Sequence, residues 1–272
     1  MKSLAIKLSA LAIAAASSLG ASATVLFDQN VFPGVIYGNG NSNGAFTVER
    51  NGGVEVGLRA KLRHDSVTGQ PANIFNSNGN GTYSFAAGAW TGSGGSAQTA
   101  YWSLDFSINT NTSGTSGLVL NDLTYKFGFD TNASQATSFL IADLINVAAA
   151  DHAMGDNNTV QCNSTNSNLG CYGIRNKSID AADYVNRIDT LNVAQNSQKA
   201  HWLLGAGFDP TVNGTYDFYL AAVNEAGAEV ARTNIQVIVG QGGAAVVPEP
   251  ASLALVGLAL AGLAAVGRRK AR

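Results

Sequence analysis

Between Val54 and Arg63 apolar and polar residues change places at almost every step, with Val54, Val56, Leu58, Ala60 and Leu62 on one side and Glu55, Gly57, Arg59, Lys61 and Arg63 on the other. Successive side chains of a strand point to opposite faces, so this run predicts a β-strand with one apolar and one wet face. The same period sets Trp102, Leu104, Phe106 and Ile108 against Tyr101, Ser103, Asp105 and Ser107. It also sets Leu123, Tyr125, Phe127 and Phe129 against Thr124, Lys126, Gly128 and Asp130. A mostly apolar run from Thr215 to Val223, the turn residues Asn224-Glu225-Ala226-Gly227 and a returning run that ends at Val239 predict a terminal hairpin.

Between these runs lie stretches rich in Gly, Asn and Ser, at 38–44, 76–81 and 91–96, which tolerate the backbone of tight turns. With 46% hydrophobic residues the chain can bury a core, so its 31 glycines read as turns within a folded protein. The expected fold is all-β, an immunoglobulin-like or jelly-roll-type β-sandwich over residues 24–240. Residues 209–239 resemble the last two strands of an immunoglobulin-like sandwich, which would give Tyr216 the tyrosine-corner role. A short helix is expected within 178–199, a long insertion at 146–177, and a flexible linker at 241–247.

The two ends carry a different pattern. Residues 1–23 combine Lys2 and Lys7 with an apolar run from Leu8 to Leu19 and then Ala21-Ser22-Ala23. Small residues at Ala21 and Ala23 match the cleavage pattern of a secretory signal peptide, so the mature chain is expected to begin at Thr24. At the other end Pro248-Glu249-Pro250 precedes a run without charge at 251–267, and then Arg268, Arg269, Lys270 and Arg272. As a helix the run of 17 residues would rise about 25 Å, close to a hydrocarbon core of about 30 Å, and the basic cluster would act as a stop-transfer signal on the cytoplasmic side. The prolines keep Glu249 in an extended segment open to a processing enzyme.

This succession of Pro-Glu-Pro, short Ala/Leu/Gly helix and terminal arginines resembles the PEP-CTERM sorting signal of Gram-negative bacteria. The resemblance covers residues 247–272. It implies an exosortase-like processing enzyme as partner, a transient stage in the inner membrane, and a destination at the cell surface or beyond, in bacteria that make exopolysaccharide.

The body offers little chemistry. Six of the 16 basic residues sit in the terminal tails, which leaves ten basic and seventeen acidic residues between Thr24 and Val247, a net charge of −7. Such a surface repels phosphate backbones and argues against nucleic acid as a partner. Cys162 and Cys171, in an exported loop, are expected to form a disulfide rather than a metal site, because no second pair accompanies them. His64, His152 and His201 stand in no nucleophile or zinc motif and read as loop or strand-surface residues. Oxygen-rich stretches at Asp130-Thr131-Asn132 and 151–158 lack EF-hand spacing. No metal or cofactor is therefore assigned.

The expectation is a non-enzymatic surface or extracellular-matrix protein, associated with exopolysaccharide. The alternatives are a carbohydrate-binding module that stacks sugars on Trp90, Trp102 or Tyr101, and a glycoside-active enzyme with a carboxylate pair.

Overall fold

The computed structural model of the protein describes residues 24–38, 41–147, 151–161 and 178–244. The signal peptide with Ala21 and Ala23, the pair Cys162 and Cys171, and the whole sorting segment from Pro248 to Arg272 lie outside the described residues. Among the described residues no helix is long and apolar enough to cross a membrane.

The strands follow in chain order as β1 (Leu26–Gln29), β2 (Phe46–Asn51), β3 (Val54–His64), β4 (Pro71–Ile74), β5 (Thr82–Phe85), β6 (Trp102–Asn109), β7 (Thr124–Asp130), β8 (Phe139–Ala142) and β9 (Ala153–Gly155). Then come helix α1 (Ala181–Ile188), β10 (Val193–Lys199), helix α2 (Ala200–Leu204), β11 (Gly214–Val223) and β12 (Glu229–Val239). They form an all-β sandwich. One sheet has the order β1-β2-β3-β6-β10-β9, with β4 added to β3, and the other has the order β5-β12-β11-β7-β8. Among the described residues only β5 against β12 runs parallel; the other strand pairs are antiparallel.

The three alternating runs behave as their periodicity requires on the inner side. Val56, Leu58 and Ala60 of β3 and Trp102, Leu104, Phe106 and Ile108 of β6 face Tyr125, Phe127 and Phe129 of β7 and Phe218, Leu220, Ile235 and Val237 of the hairpin, all in one core cluster. The hairpin β11–β12 pairs from Gly214↔Val239 to Val223↔Glu229 around the expected turn. Tyr216 contributes packing, with its ring 6.2 Å from Trp102 and 5.7 Å from Phe208. A hydroxyl-to-backbone bond of the tyrosine-corner kind is not among its contacts within the described residues.

The outer side of β3 is not wet, which corrects the sequence reading. Glu55 and Arg59 are 0% exposed and Lys61 is 3% exposed. A strap, described at residues 31–38 and 41–45, crosses this face and buries Val31, Val35, Ile36 and Tyr37 against Phe46, Val48 and Val193 in a second apolar cluster. The strap is not a strand; its backbone is satisfied by side chains of the sheet beneath it. Phe32 N donates to Glu55 Oε1 (2.9 Å), Ile36 N to Gln195 Oε1 (2.8 Å), and the carbonyls of Phe32 and Gly34 accept from Asn109 Nδ2 (3.0 Å) and Gln195 Nε2 (2.8 Å). Buried main-chain groups need partners. Here polar residues that alternation assigns to solvent supply them.

The same chemistry explains why β10 escaped the sequence reading. Val193-Ala194-Gln195-Asn196-Ser197-Gln198-Lys199 has no apolar alternation, yet it lies inside the large sheet between β6 and β9. Its polar residues serve the strap and the loop before β9. Of the window 178–199, only α1 is helical. It is capped by Asp180, which accepts from Asp183 N (2.8 Å), and it buries Tyr184 and Ile188 one turn apart. The region read as an insertion contributes β9, which pairs with β10 and so completes the sheet.

Gly57 gives the strap its room. A Cβ at this position would lie 3.1 Å from Val31 Cγ1 and 3.3 Å from Val48 Cγ2. Gly57→Leu is expected to lift the strap and cost about 1–3 kcal/mol, the range for overpacking a tight site. A lowered urea midpoint, with faster amide exchange confined at first to residues 31–37, would bear this out; an unchanged midpoint would refute it.

Candidate functional site

Two places in the body gather chemistry. The first lies beneath the strap, where Arg59 of β3 and Asp105 of β6 are direct neighbours in register. Arg59 Nε donates to Asp105 Oδ2 at 2.9 Å, its Nη1 donates to the carbonyls of Ser42 (2.9 Å) and Gly44 (2.7 Å), and its Nη2 donates to Tyr37 Oη (3.2 Å). The guanidinium also lies between the rings of Phe46 and Phe75, at 4.1 and 3.9 Å. Lys61 Nζ donates to Asn41 Oδ1 (2.6 Å) and stands 3.6 Å from Asp105 Oδ1.

Burial works against the Asp105 carboxylate, but Lys61 and Arg59 outweigh it and hold its carboxyl below the usual range. Burial lowers Lys61 to about 8, with Asp105 opposing the shift. Burial, with Asp105 adding to it, drives the Tyr37 hydroxyl well above the ordinary tyrosine range. Perturbed groups in a cleft suggest catalysis. These are sealed under the strap and spend their hydrogen bonds on it, so the cluster reads as structural.

The second place is the end of the sandwich where β3, β7 and β10 finish and β11 begins. Trp90 is half-buried there, stacked on His64 with ring centroids 3.6 Å apart, and its Nε1 donates to Gly69 O (3.2 Å). The glycines of 91–96 wrap the indole, since a Cβ at Gly92 would lie 2.8 Å from its ring. Both nitrogens of His64 are buried without a hydrogen-bond partner. Burial, with Arg63 and Lys199 nearby, pushes this histidine down to about 4.

Beside it, α2 buries Ala200, Leu203 and Leu204 and leaves Trp202 56% exposed, with Lys199 Nζ 5.2 Å from the ring centre. The spacing of Ala200, Leu203 and Leu204, one helical face, was the signal that would have turned Trp202 outward.

Of the three residues named as a possible sugar platform, Trp102 packs in the core as its shared face with Leu104 and Phe106 leads one to expect, and at 1% exposure it is closed to a sugar. Trp90 spends one ring face on His64. Tyr101 is half-buried, with its ring against Gly88. His152 is corrected, being buried, with Nε2 donating to Leu144 O (2.8 Å) and Nδ1 accepting from Asn196 Nδ2 (3.0 Å). The oxygen-rich stretches serve turns. Asp130 Oδ1 accepts from Asn132 N and Ser138 N, and Asp156 Oδ1 from Asn158 N. Among the described residues no group of three His, Cys, Asp or Glu side chains could hold a metal ion. A shallow groove of about 300 Å³, lined by Phe27, Thr82, Asp217, Asn234 and Gln236 among others, contains no histidine.

Fold and ends together define a β-sandwich body followed by a C-terminal sorting signal. Residues 246–270 match the family described as PEP-CTERM protein-sorting motif, so the chain carries that motif at its C-terminal region. The motif is that of exported proteins sorted by an exosortase to the surface or the extracellular space. No curated protein and no solved structure is found to match the chain.

Asp105→Asn is expected to leave Arg59 buried without its counter-charge and to cost about 3–5 kcal/mol, the usual penalty for breaking a buried pair from one side. Because the Asp105 carboxyl is held below its ordinary value of 3.8, its contribution is complete above that pH and is lost as pH falls through the folded-state value. Acid titration of unfolding should therefore show a loss below about pH 4 that is smaller in Asp105→Asn. Equal acid slopes for the two proteins would refute the assignment.

Proposed function

We propose that this is a non-enzymatic protein of the cell surface or extracellular matrix. In this reading the segment 251–267 anchors it in the inner membrane until an exosortase-like enzyme processes the tail, and the body then associates with exopolysaccharide. The sorting motif at 246–270 carries the reading. The body supports it, because its cluster of buried ionisable groups, Arg59, Lys61, Asp105 and Tyr37, holds together and binds the strap and is closed to a substrate.

Carbohydrate binding is the second reading. The observation that favours it is Trp202, an exposed indole on α2, which can offer an apolar face to a sugar ring while its edge stays wet. Retention of the exported protein on the host's exopolysaccharide, lost in Trp202→Ala, would support that reading over a purely structural role. Release of reducing sugar that a single Asp or Glu substitution abolishes would overturn the non-enzymatic claim.

Mass spectrometry of the protein from its own host is expected to find Thr24 at the N-terminus and the C-terminal tail missing. Glu249→Ala should leave export intact and impair release from the membrane. Accumulation of the intact chain of 272 residues would sink the sorting proposal.

A further inference from the structure

The point at which the tail leaves the body is fixed. Of the stretch read as a flexible linker, residues 241–244 are laced to the sandwich. Gly242 N donates to Val239 O (3.0 Å), Gly243 N to Thr215 Oγ1 (2.8 Å), and Gln135 N to Ala244 O (3.0 Å), while Thr215 N donates to Ala133 O (3.0 Å). Gly243 lies so close to the Ala133 carbonyl that a side chain at this position would collide with it. From Ala244 to Pro248 there are four residue steps, which reach at most about 14 Å. The body cannot swing far from its sorting motif. The end that carries 131–138 and the start of β11 must stay beside it.

That end differs in charge from the rest of the molecule. Its loops 86–101, 131–138 and 240–244 contain no charged residue, and Asp65 and Asp209 there are offset by Arg63 and Lys199. It exposes Val67 (90%), Trp202 (56%) and Val212 (44%). At the opposite end, where β3 begins and β11 finishes, Asp183 is paired with Arg187, Glu229 with Lys126 and Arg232, and Glu55 with Arg50, while Asp122, Asp143, Asp156, Asp189 and Glu225 have no cation in ion-pair distance among the described residues. Anionic headgroups repel the acidic end and tolerate the neutral one, and an indole with a neighbouring lysine suits the interface between headgroups and acyl chains.

We propose that, while the tail is inserted, the body stands with its tail-proximal end against the anionic headgroup surface, Trp202 and Lys199 in contact with it and the acidic end pointing away. The inference rests on the anchoring reading given above. It assigns the body an orientation that the sorting motif does not imply.

The test uses the full-length chain reconstituted in vesicles of phosphatidylglycerol and phosphatidylethanolamine that carry a fluorescence acceptor lipid. A donor dye is placed on Thr137→Cys or Glu225→Cys, with the labelled wild-type chain as background for the native cysteines. The ten residues of β11 separate these ends by about 33 Å, so transfer from Thr137 is expected to exceed transfer from Glu225 about twofold or more. Trp202→Ser should lower the Thr137 signal, and Gly243→Leu, which undocks the tether, should bring the two sites together. Equal transfer from both sites on vesicle-bound protein would overturn the orientation. A Thr137 signal that Trp202→Ser does not move would overturn the role of the contact patch. Protein that does not float with the vesicles would overturn the anchoring itself, an outcome distinct from the other two.

Discussion

Arg59 and Asp105 face each other across β3 and β6 in the centre of the large sheet, and three parts of the structure depend on that pair. A slip of one residue between the two strands would turn one of the two charges to the apolar side, among Leu58, Phe106 and Phe127, and part it from the other, so the pair fixes the register. The guanidinium then reaches up to the carbonyls of Ser42 and Gly44 and draws the strap onto the sheet. With the strap in place, Val31, Val35 and Ile36 close the second apolar cluster. Buried ion pairs add little net stability, because desolvation offsets most of their attraction. What this one contributes is specificity: it selects one register and one position of the strap.

Lys61 belongs to the same arrangement, with an opposite effect on energy. Burial lowers it to about 8, so at neutral pH the folded state holds a charge that the unfolded chain would hydrate more cheaply. Its bond to Asn41 and its approach to Asp105 recover part of that cost. Between pH 8 and the ordinary lysine value of 10.5 the unfolded chain binds more protons than the folded one, and this residue then favours folding as pH rises. The cluster is therefore a compromise, in which Asp105 serves two cations and Arg59 takes the better geometry.

Much of the inner core was legible in the sequence. The period of two in 54–62, 102–108 and 123–129 reports which side chains share a face, and the turn at 224–227 reports the hairpin. What periodicity does not report is what lies over the other face. Glu55, Arg59, Lys61, Ser103, Asp105 and Ser107 are the residues of a solvated surface by type, and they become interior only because a segment without strand pattern crosses them. Gln195 and Asn196 hid β10 for the same reason: their burial depends on partners, Gly34, Ile36 and His152, that lie far away in the chain. The tail-proximal end was invisible for a related cause. Loops at 63–70, 86–101, 131–138 and 199–213 come together only through the order of the strands.

That order also bears on how an exported chain can reach this state. The strap precedes every strand but β1, yet Ile36 is bound to Gln195, 159 residues later, and Phe32 to Asn109, 77 residues later. Contacts of such separation cannot form until the later segment has crossed the membrane, and they carry the entropic cost of closing long loops. The strap's other bonds are local: Glu55, Arg59 and Lys61 of β3 hold Phe32, Ser42, Gly44 and Asn41, all 23 residues or fewer away. The charged face of β3 therefore supplies the short-range half of the strap's partners, and Asn109 and Gln195 supply the half that must come from later in the chain.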